Sequence, residues 1–270
     1  SLAMTWTIPQ RSDGPSGLAL SRSGSGPAIV LIHGVGLRSE SWARQIPALA
    51  ERFTVIAVDL PGHGESAPFA AAPTLADYAD RIAEVLDGQT GPAVIAGHSL
   101  GALTALEIAT RHPDLCAGVA ALNAIFRRSK QASDAVRARA GNLPLDKISD
   151  PEPTLRRWFG VDPNPDAANV CRDWLLTADP VAYKAAYTVF AHADGPADEA
   201  LRALSCPALF LTGSEEPNST PAMSRAMAAL VPDGQCTVID GAAHMMPMTH
   251  SGAVNPALLD FTARCHGGAA

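Results

Sequence analysis

Apolar residues in this chain fall into short unbroken runs, separated by longer stretches where they recur every three or four positions. The runs are Ala28–Ile32, Thr54–Val58, Ala93–Ala96, Gly118–Leu122, Ala208–Thr212 and Gln235–Ile239. Runs this short, without strict alternation, predict strands covered on both faces, as in parallel sheets. Leu18–Ser21 alternates and predicts one further strand near the start. The spaced pattern predicts helices between the runs. Glu40–Glu51 places Trp42, Ile46 and Leu49 on one side, and Thr74–Leu86 does the same with Leu75, Tyr78, Ile82 and Leu86. Thr74 is positioned to cap its helix, and Asp77 adds an acidic first turn. Leu100–Arg111, Pro221–Leu230 and Ala253–Arg264 complete the helices. Strand and helix alternate, so the expected fold class is α/β, a mostly parallel doubly wound sheet.

One stretch breaks this rhythm. No buried strand is readable between Asn123 and Cys206. Helical spacing appears at Ala132–Arg139, Leu155–Phe159 and Pro180–Ala191, with Pro-rich joints at Asp150–Pro153 and Asp162–Pro165. A segment this long is not an ordinary loop. The expected division is a core of residues 1–123 and 207–270, with residues 124–206 inserted as a helical cap over the carboxyl ends of the strands, where open α/β sheets bind ligands.

Composition narrows the function. Hydrophobic residues make up 47% of the 270 positions, enough for a sizeable core. The net charge of −7 repels phosphate backbones, so nucleic acid is not an expected partner. No apolar run is long enough to span a bilayer. Five scattered cysteines with no C-x-x-C pair fit neither a disulfide framework nor a zinc site. With no signal-peptide pattern, the expected location is the cytoplasm.

The chemistry centres on Gly97-His98-Ser99-Leu100-Gly101, which follows a predicted strand and opens a predicted helix. A G-x-S-x-G sequence in that setting forms a strained turn that lifts the serine Oγ clear of the backbone. Glycines on either side let strand and helix approach closely. Ser99 is therefore the candidate nucleophile. Acyl transfer also needs N–H donors aimed at an oxyanion. Leu100 supplies one by position, and Val35 in the turn His33-Gly34-Val35-Gly36 is the candidate for the other. Of eight histidines, His244 is the candidate base: it follows the last strand and stands last in the order Ser, acid, His. His98 is expected to point away and His33 to be structural. The candidate acid is Glu216 in the loop Gly213–Asn218, with Glu215 as the alternative.

Taken in order, His33-Gly34, Asp59-Leu-Pro-Gly-His-Gly-Glu-Ser66, Gly97-His-Ser-Leu-Gly101 and Gly241-Ala-Ala-His244 resemble the α/β-hydrolase superfamily, over about residues 15 to 265. The resemblance implies the α/β-hydrolase fold and a serine hydrolase needing no cofactor and no metal. Asp59–Ser66 is a structural turn in that family. Glu216 departs from its pattern, which usually has aspartate there. Within the superfamily the chain is similar to small-molecule esterases and enol-lactonases of the 3-oxoadipate type. The expected reaction is cleavage of a small ester or lactone through an acyl-enzyme. A carbon–carbon hydrolase, an acyltransferase or perhydrolase, and a non-catalytic receptor remain as alternatives. Trp158 and Arg127 are the candidate substrate contacts. Phe159, Trp174, Tyr183, Tyr187 and Phe190 either line the pocket or form the insertion's own core, and Arg128 is a second candidate for a substrate carboxylate. The oligomeric state is not readable.

Overall fold

A computed structural model of the chain describes residues 6–160 and 165–267. Its sheet has eight strands: β1 (Ser12–Asp13), β2 (Ala19–Ser23), β3 (Ala28–Ile32), β4 (Thr54–Val58), β5 (Ala93–His98), β6 (Cys116–Leu122), β7 (Ala208–Gly213) and β8 (Gly234–Ile239). They lie in the order β1-β2-β4-β3-β5-β6-β7-β8. The pairs from β4 through β8 are parallel, and the two N-terminal strands join antiparallel. The early strand thus runs to Ser23 rather than Ser21. The two-residue β1 is too short to leave a pattern in the sequence.

The unbroken apolar runs have the predicted cause. All five residues of β3 are buried, at 0 to 8% exposure. Val30 and Ile32 pack on one face against Ile82 and Leu103. Ile29 and Leu31 pack on the other against Trp42, Leu49 and Leu258. Each such side chain contributes on the order of 1.5–3 kcal/mol by leaving water. The first face is covered by α2 (Leu75–Ala83), α3 (Leu100–Arg111) and α9 (Pro221–Leu230). The second is covered by α1 (Ile46–Ala50) and α11 (Ser251–Cys265), with the one-turn α10 (Met246–Thr249) just before it. Thr74 caps α2 in a full capping box with Asp77. The helix read over Glu40–Glu51 is instead a 3-10 turn, Ser39–Trp42, followed by the short α1 with Pro47 in its first turn.

Five helices lie between β6 and β7: α4 (Lys130–Asn142), α5 (Glu152–Phe159), α6 (Pro165–Thr177), α7 (Pro180–His192) and α8 (Asp198–Arg202). The sequence pattern predicts α4, α5 and α7 but not α6 or α8. The joint read at Asp162–Pro165 lies largely outside the described residues; Pro165 opens α6. Ser129 caps α4 by accepting from the Ala132 N–H, and Asp179 caps α7 ahead of Pro180. α4 packs on α7 through Val136, Ala140 and Ala191, while α5 and α6 meet through Leu155, Phe159, Cys171 and Leu175. The insertion rests directly on the His33–Gly36 turn. Gly36 has φ +74°, and a Cβ there would lie 2.6 Å from Leu175 Cδ2 and 2.7 Å from Tyr183 Cε2. Only glycine admits both the backbone conformation and the approach. No helix among the described residues is long and apolar enough to cross a membrane.

Candidate active site

Ser99 sits between β5 and α3 with φ +58° and ψ −116°, a strained conformation for a residue with a side chain. Its N–H donates to Leu122 O at 2.9 Å, and its carbonyl accepts from Ala102 and Leu103 in the first turn of α3. The flanking glycines are a steric requirement. A Cβ on Gly97 would stand 1.9 Å from Gly101 O, and one on Gly101 would stand 2.2 Å from Ile32 O. The strand, helix and neighbouring β3 therefore close on one another only without side chains at both places.

His244 arrives from the loop after β8. Its Nδ1 is 2.7 Å from Glu216 Oε2, in the loop after β7. Glu216 is buried at 4% exposure, whereas Glu215 is exposed. The choice between the two glutamates thus falls geometrically on Glu216. Burial raises the Glu216 carboxyl, but the adjoining His244, its hydrogen bond, the Asn123 amide and the Asn218 N–H outweigh this and hold it below its ordinary range. Ser99 and His244 line one cavity. Among the described residues no hydrogen bond joins Ser99 Oγ to the ring.

The other histidines near the serine are structural, as expected. His98 Nε2 bonds the carbonyl of His244 at 2.7 Å, and burial pushes its pKa down to about 3. It therefore stays neutral and pins the loop that carries His244. His33 Nδ1 donates to Gly34 O, its Nε2 accepts from the Leu60 N–H, and burial pushes it down to about 3. Asp59 accepts from Arg11 Nε at 2.6 Å and from the Ser39 and Glu65 N–H groups at 2.9 Å each, tying the Asp59–Ser66 turn to the N-terminal segment. The N–H groups of Val35 and Leu100 make no hydrogen bond among the described residues. Leu100 is the first residue of α3, where the backbone N–H has no intrahelical partner and the helix dipole favours negative charge.

The cavity has a volume of about 420 Å³ and is walled by α4, α5, α7 and the loop after β7. Trp158 lines it and stacks on His244, with ring centroids 6.0 Å apart at 27°. Tyr183, Tyr187 and Phe190 line it as well, whereas Phe159 and Trp174 pack into the α5–α6 core. Arg127 does not reach the cavity. Its backbone is left-handed at φ +51°, which turns the exposed side chain over Phe126 towards Asp198, with which it pairs. Arg128 takes the inward direction, but it bonds the carbonyls of Phe190, Ala191 and Ala193 at the end of α7 and also Asp194. Two other arginines in the wall make no ion pair among the described residues. Arg157 bonds only Thr154 Oγ1 at 3.1 Å, and Arg139 only Tyr187 Oη at 3.2 Å.

The Alpha/beta hydrolase family profile matches residues 29–257. The chain belongs to this family. The (E)-2-((N-methylformamido)methylene)succinate hydrolase of Acinetobacter baylyi is 37% identical over 237 residues, which span 87% of this chain and 90% of that protein. Among solved structures, a malate-bound thermophilic esterase from Thermogutta terrifontis superposes with a TM-score of 0.84 at 29% identity, covering 95% of this chain and 99% of its own. An E-2-(acetamidomethylene)succinate hydrolase superposes with a TM-score of 0.76 at 30% identity, covering 94% and 98%. The chain is accordingly a hydrolase of the α/β-hydrolase fold.

Three residues of this α/β-hydrolase site escape a reading of the sequence. Arg139 and Arg157 lie on inserted helices whose inward faces depend on tertiary packing. Asn123, directly after β6, shows its meaning only where its amide meets Glu216, 93 positions away.

Proposed function

We propose that this hydrolase cleaves a small ester or lactone bearing one or more carboxylates, through an acyl-enzyme on Ser99. The observation that carries the reading is the strained Ser99 and His244 lining one cavity, with the buried Glu216 paired to His244 behind it. In this scheme His244 takes the Ser99 proton while Glu216 fixes the ring and stabilises the imidazolium. The Val35 and Leu100 N–H groups receive the oxyanion. His244 then protonates the leaving oxygen, and water releases the acyl group. No metal or organic cofactor takes part. Residues 124–206 act as a cap that selects the substrate.

The carboxylate requirement rests on Arg139 and Arg157, two cations facing the cavity of a chain whose net charge is −7. Guanidinium groups suit bidentate binding of carboxylates. Two relatives named above act on substituted succinates, which bear two carboxylates, and this favours a dicarboxylate. Their names also favour a second reading, in which the scissile bond is the amide of such a compound. The same residues serve that reaction, with a nitrogen leaving group. The partner is thus a small molecule, and neither nucleic acid nor membrane enters the scheme.

The test is a fluorophosphonate probe with the adduct mapped by mass spectrometry, followed by turnover on neutral esters, carboxylated esters and an amidomethylene succinate. An adduct on Ser99 with preference for carboxylated substrates is the expected result. Absence of labelling, or equal rates on neutral and carboxylated esters, would overturn the corresponding half of the proposal.

A further inference from the structure

The scheme above gives no task to Asn123, although its geometry is tightly constrained. Asn123 follows the last residue of β6 and is fully buried, with φ +53°. Asparagine tolerates this left-handed conformation better than most residues with side chains. Its N–H donates to Leu211 O at 2.8 Å, fixing its backbone at the carboxyl edge between β6 and β7. Its Nδ2 donates to Glu216 Oε2 at 2.8 Å, the same oxygen that meets His244 Nδ1 at 2.7 Å. Its Oδ1 is buried without a partner among the described residues. A left-handed backbone and an orphaned acceptor are therefore tolerated at a residue whose one side-chain hydrogen bond goes to the acid.

We propose that Asn123 is a positioning residue: it locks Glu216 Oε2 in line with His244 Nδ1 and shares its negative charge, and so sets the pH range over which His244 accepts the Ser99 proton. This rests on the reading of Ser99, His244 and Glu216 as a catalytic unit. Glutamate needs such a lock more than aspartate would. It has one more side-chain torsion, and its terminal torsion is broad. The other carboxylate oxygen, Oε1, takes only the Asn218 N–H, at 3.3 Å. Donation by a neutral amide stabilises the carboxylate without adding net charge. It also draws density from the oxygen that faces the ring, so removing the donor strengthens that oxygen's hold on the imidazolium. Among the described residues, the titratable groups directly against His244 are Glu216 after β7 and His98 on β5, and the cavity it lines also carries Arg128, Arg139, Arg157, Tyr183 and Tyr187.

The experiment compares wild type with Asn123→Leu, Asn123→Asp and Glu216→Gln. It measures the rate of Ser99 labelling by a fluorophosphonate across pH, with melting temperatures alongside. This readout needs no knowledge of the substrate. Asn123→Leu removes the donor and Asn123→Asp replaces it with a second carboxylate of the same shape. The acid limb of the labelling profile is expected to move up by about half a pH unit or more in Asn123→Leu and further in Asn123→Asp. Labelling at neutral pH should slow roughly tenfold in Asn123→Leu. Profiles with the wild-type midpoint, lowered only in amplitude or melting temperature, would reduce Asn123 to a structural residue and overturn the proposal. If Asn123→Leu does not fold, the isosteric Asn123→Asp decides alone. Glu216→Gln separates the two levels of inference. Wild-type labelling in that variant would remove the catalytic unit itself. Slow labelling there, with unshifted profiles in the Asn123 variants, would remove only the role of Asn123.

Discussion

The indole of Trp158 lies nearly parallel to the imidazole of His244, 6.0 Å away between centroids. One ring belongs to the inserted helix α5 and the other to a loop of the sheet. In the proposed scheme the contact restrains the ring that takes the Ser99 proton. Trp158→Ala is expected to lower kcat/KM about 10- to 100-fold, with most of the loss recovered by Trp158→Phe. Steady-state kinetics on the best carboxylated substrate will measure this. An unchanged kcat/KM in Trp158→Ala would remove the contact from the catalytic account.

Ser99 bears the strain of a positive φ. A strained backbone of this kind costs on the order of 1–3 kcal/mol. Glycine removes the strain, while its extra chain entropy takes back roughly 0.5–1 kcal/mol. Ser99→Gly should therefore melt about 2–4 °C above Ser99→Ala, and both should lose turnover by several orders of magnitude. Calorimetry of the two inactive variants checks the first point without interference from activity.

Glu216 and Glu215 are adjacent, yet one is buried against His244 and the other exposed. In the proposed scheme Glu216→Gln loses the charge that stabilises the imidazolium and should reduce kcat roughly 10⁴-fold. Glu215→Gln should stay within about twofold of wild type. Comparable losses in the two variants would contradict the geometry.

His33 and His98 are both held near pKa 3 by burial. In the unfolded chain they titrate at about 6.5. Between those values the unfolded state binds more protons, so stability falls as pH drops from about 6.5 towards 3. Each contributes a slope of at most about 1.4 kcal/mol per pH unit. Chemical denaturation at a series of pH values should show this slope, and His98→Gln should make it shallower. A pH-independent midpoint across that window would contradict the buried neutral state.

Arg157 is expected to discriminate between substrates where Arg127 does not. Arg157→Ala should raise KM for a carboxylated ester about 10- to 100-fold, the loss of a charge-assisted hydrogen bond or two. KM for a neutral ester should hardly change. Arg127→Ala should leave both substrates unaffected, because its guanidinium is directed to Asp198 and solvent. Parallel effects of Arg157→Ala on neutral and charged esters would assign it to the structure of α5.

The sequence alone disclosed what depends on near neighbours in the chain. The Ser99 turn is a local object: strand, two glycines and helix occupy one continuous segment, so its strain can be inferred from spacing. His244 and the Glu216 loop follow from strand order, since the carboxyl ends of a parallel sheet point one way. The residues missed depend on distant contacts or on rotation about a few bonds. Arg127 and Arg128 are adjacent, and the left-handed backbone at Arg127 decides which one faces inward. α6 buries Ala167, Ala168, Cys171 and Leu175, of which only Leu175 is large and apolar, too sparse a stripe to stand out. Arg139 and Arg157 gain their meaning only when α4 and α5 close over Ser99.

The contact of Leu175 and Tyr183 with Gly36 has a consequence for how this enzyme can change. The helices that shape the cavity lean on the backbone turn that presents the Val35 N–H. In the proposed scheme, selectivity and rate therefore depend on the same joint. If Val35 serves as the proposed oxyanion donor, a library that diversifies α6 or α7 to admit a new substrate is expected to tilt it, and many of its members should bind well and turn over slowly. α4 lines the cavity but supplies neither side chain at Gly36, so diversifying it is expected to disturb that turn less.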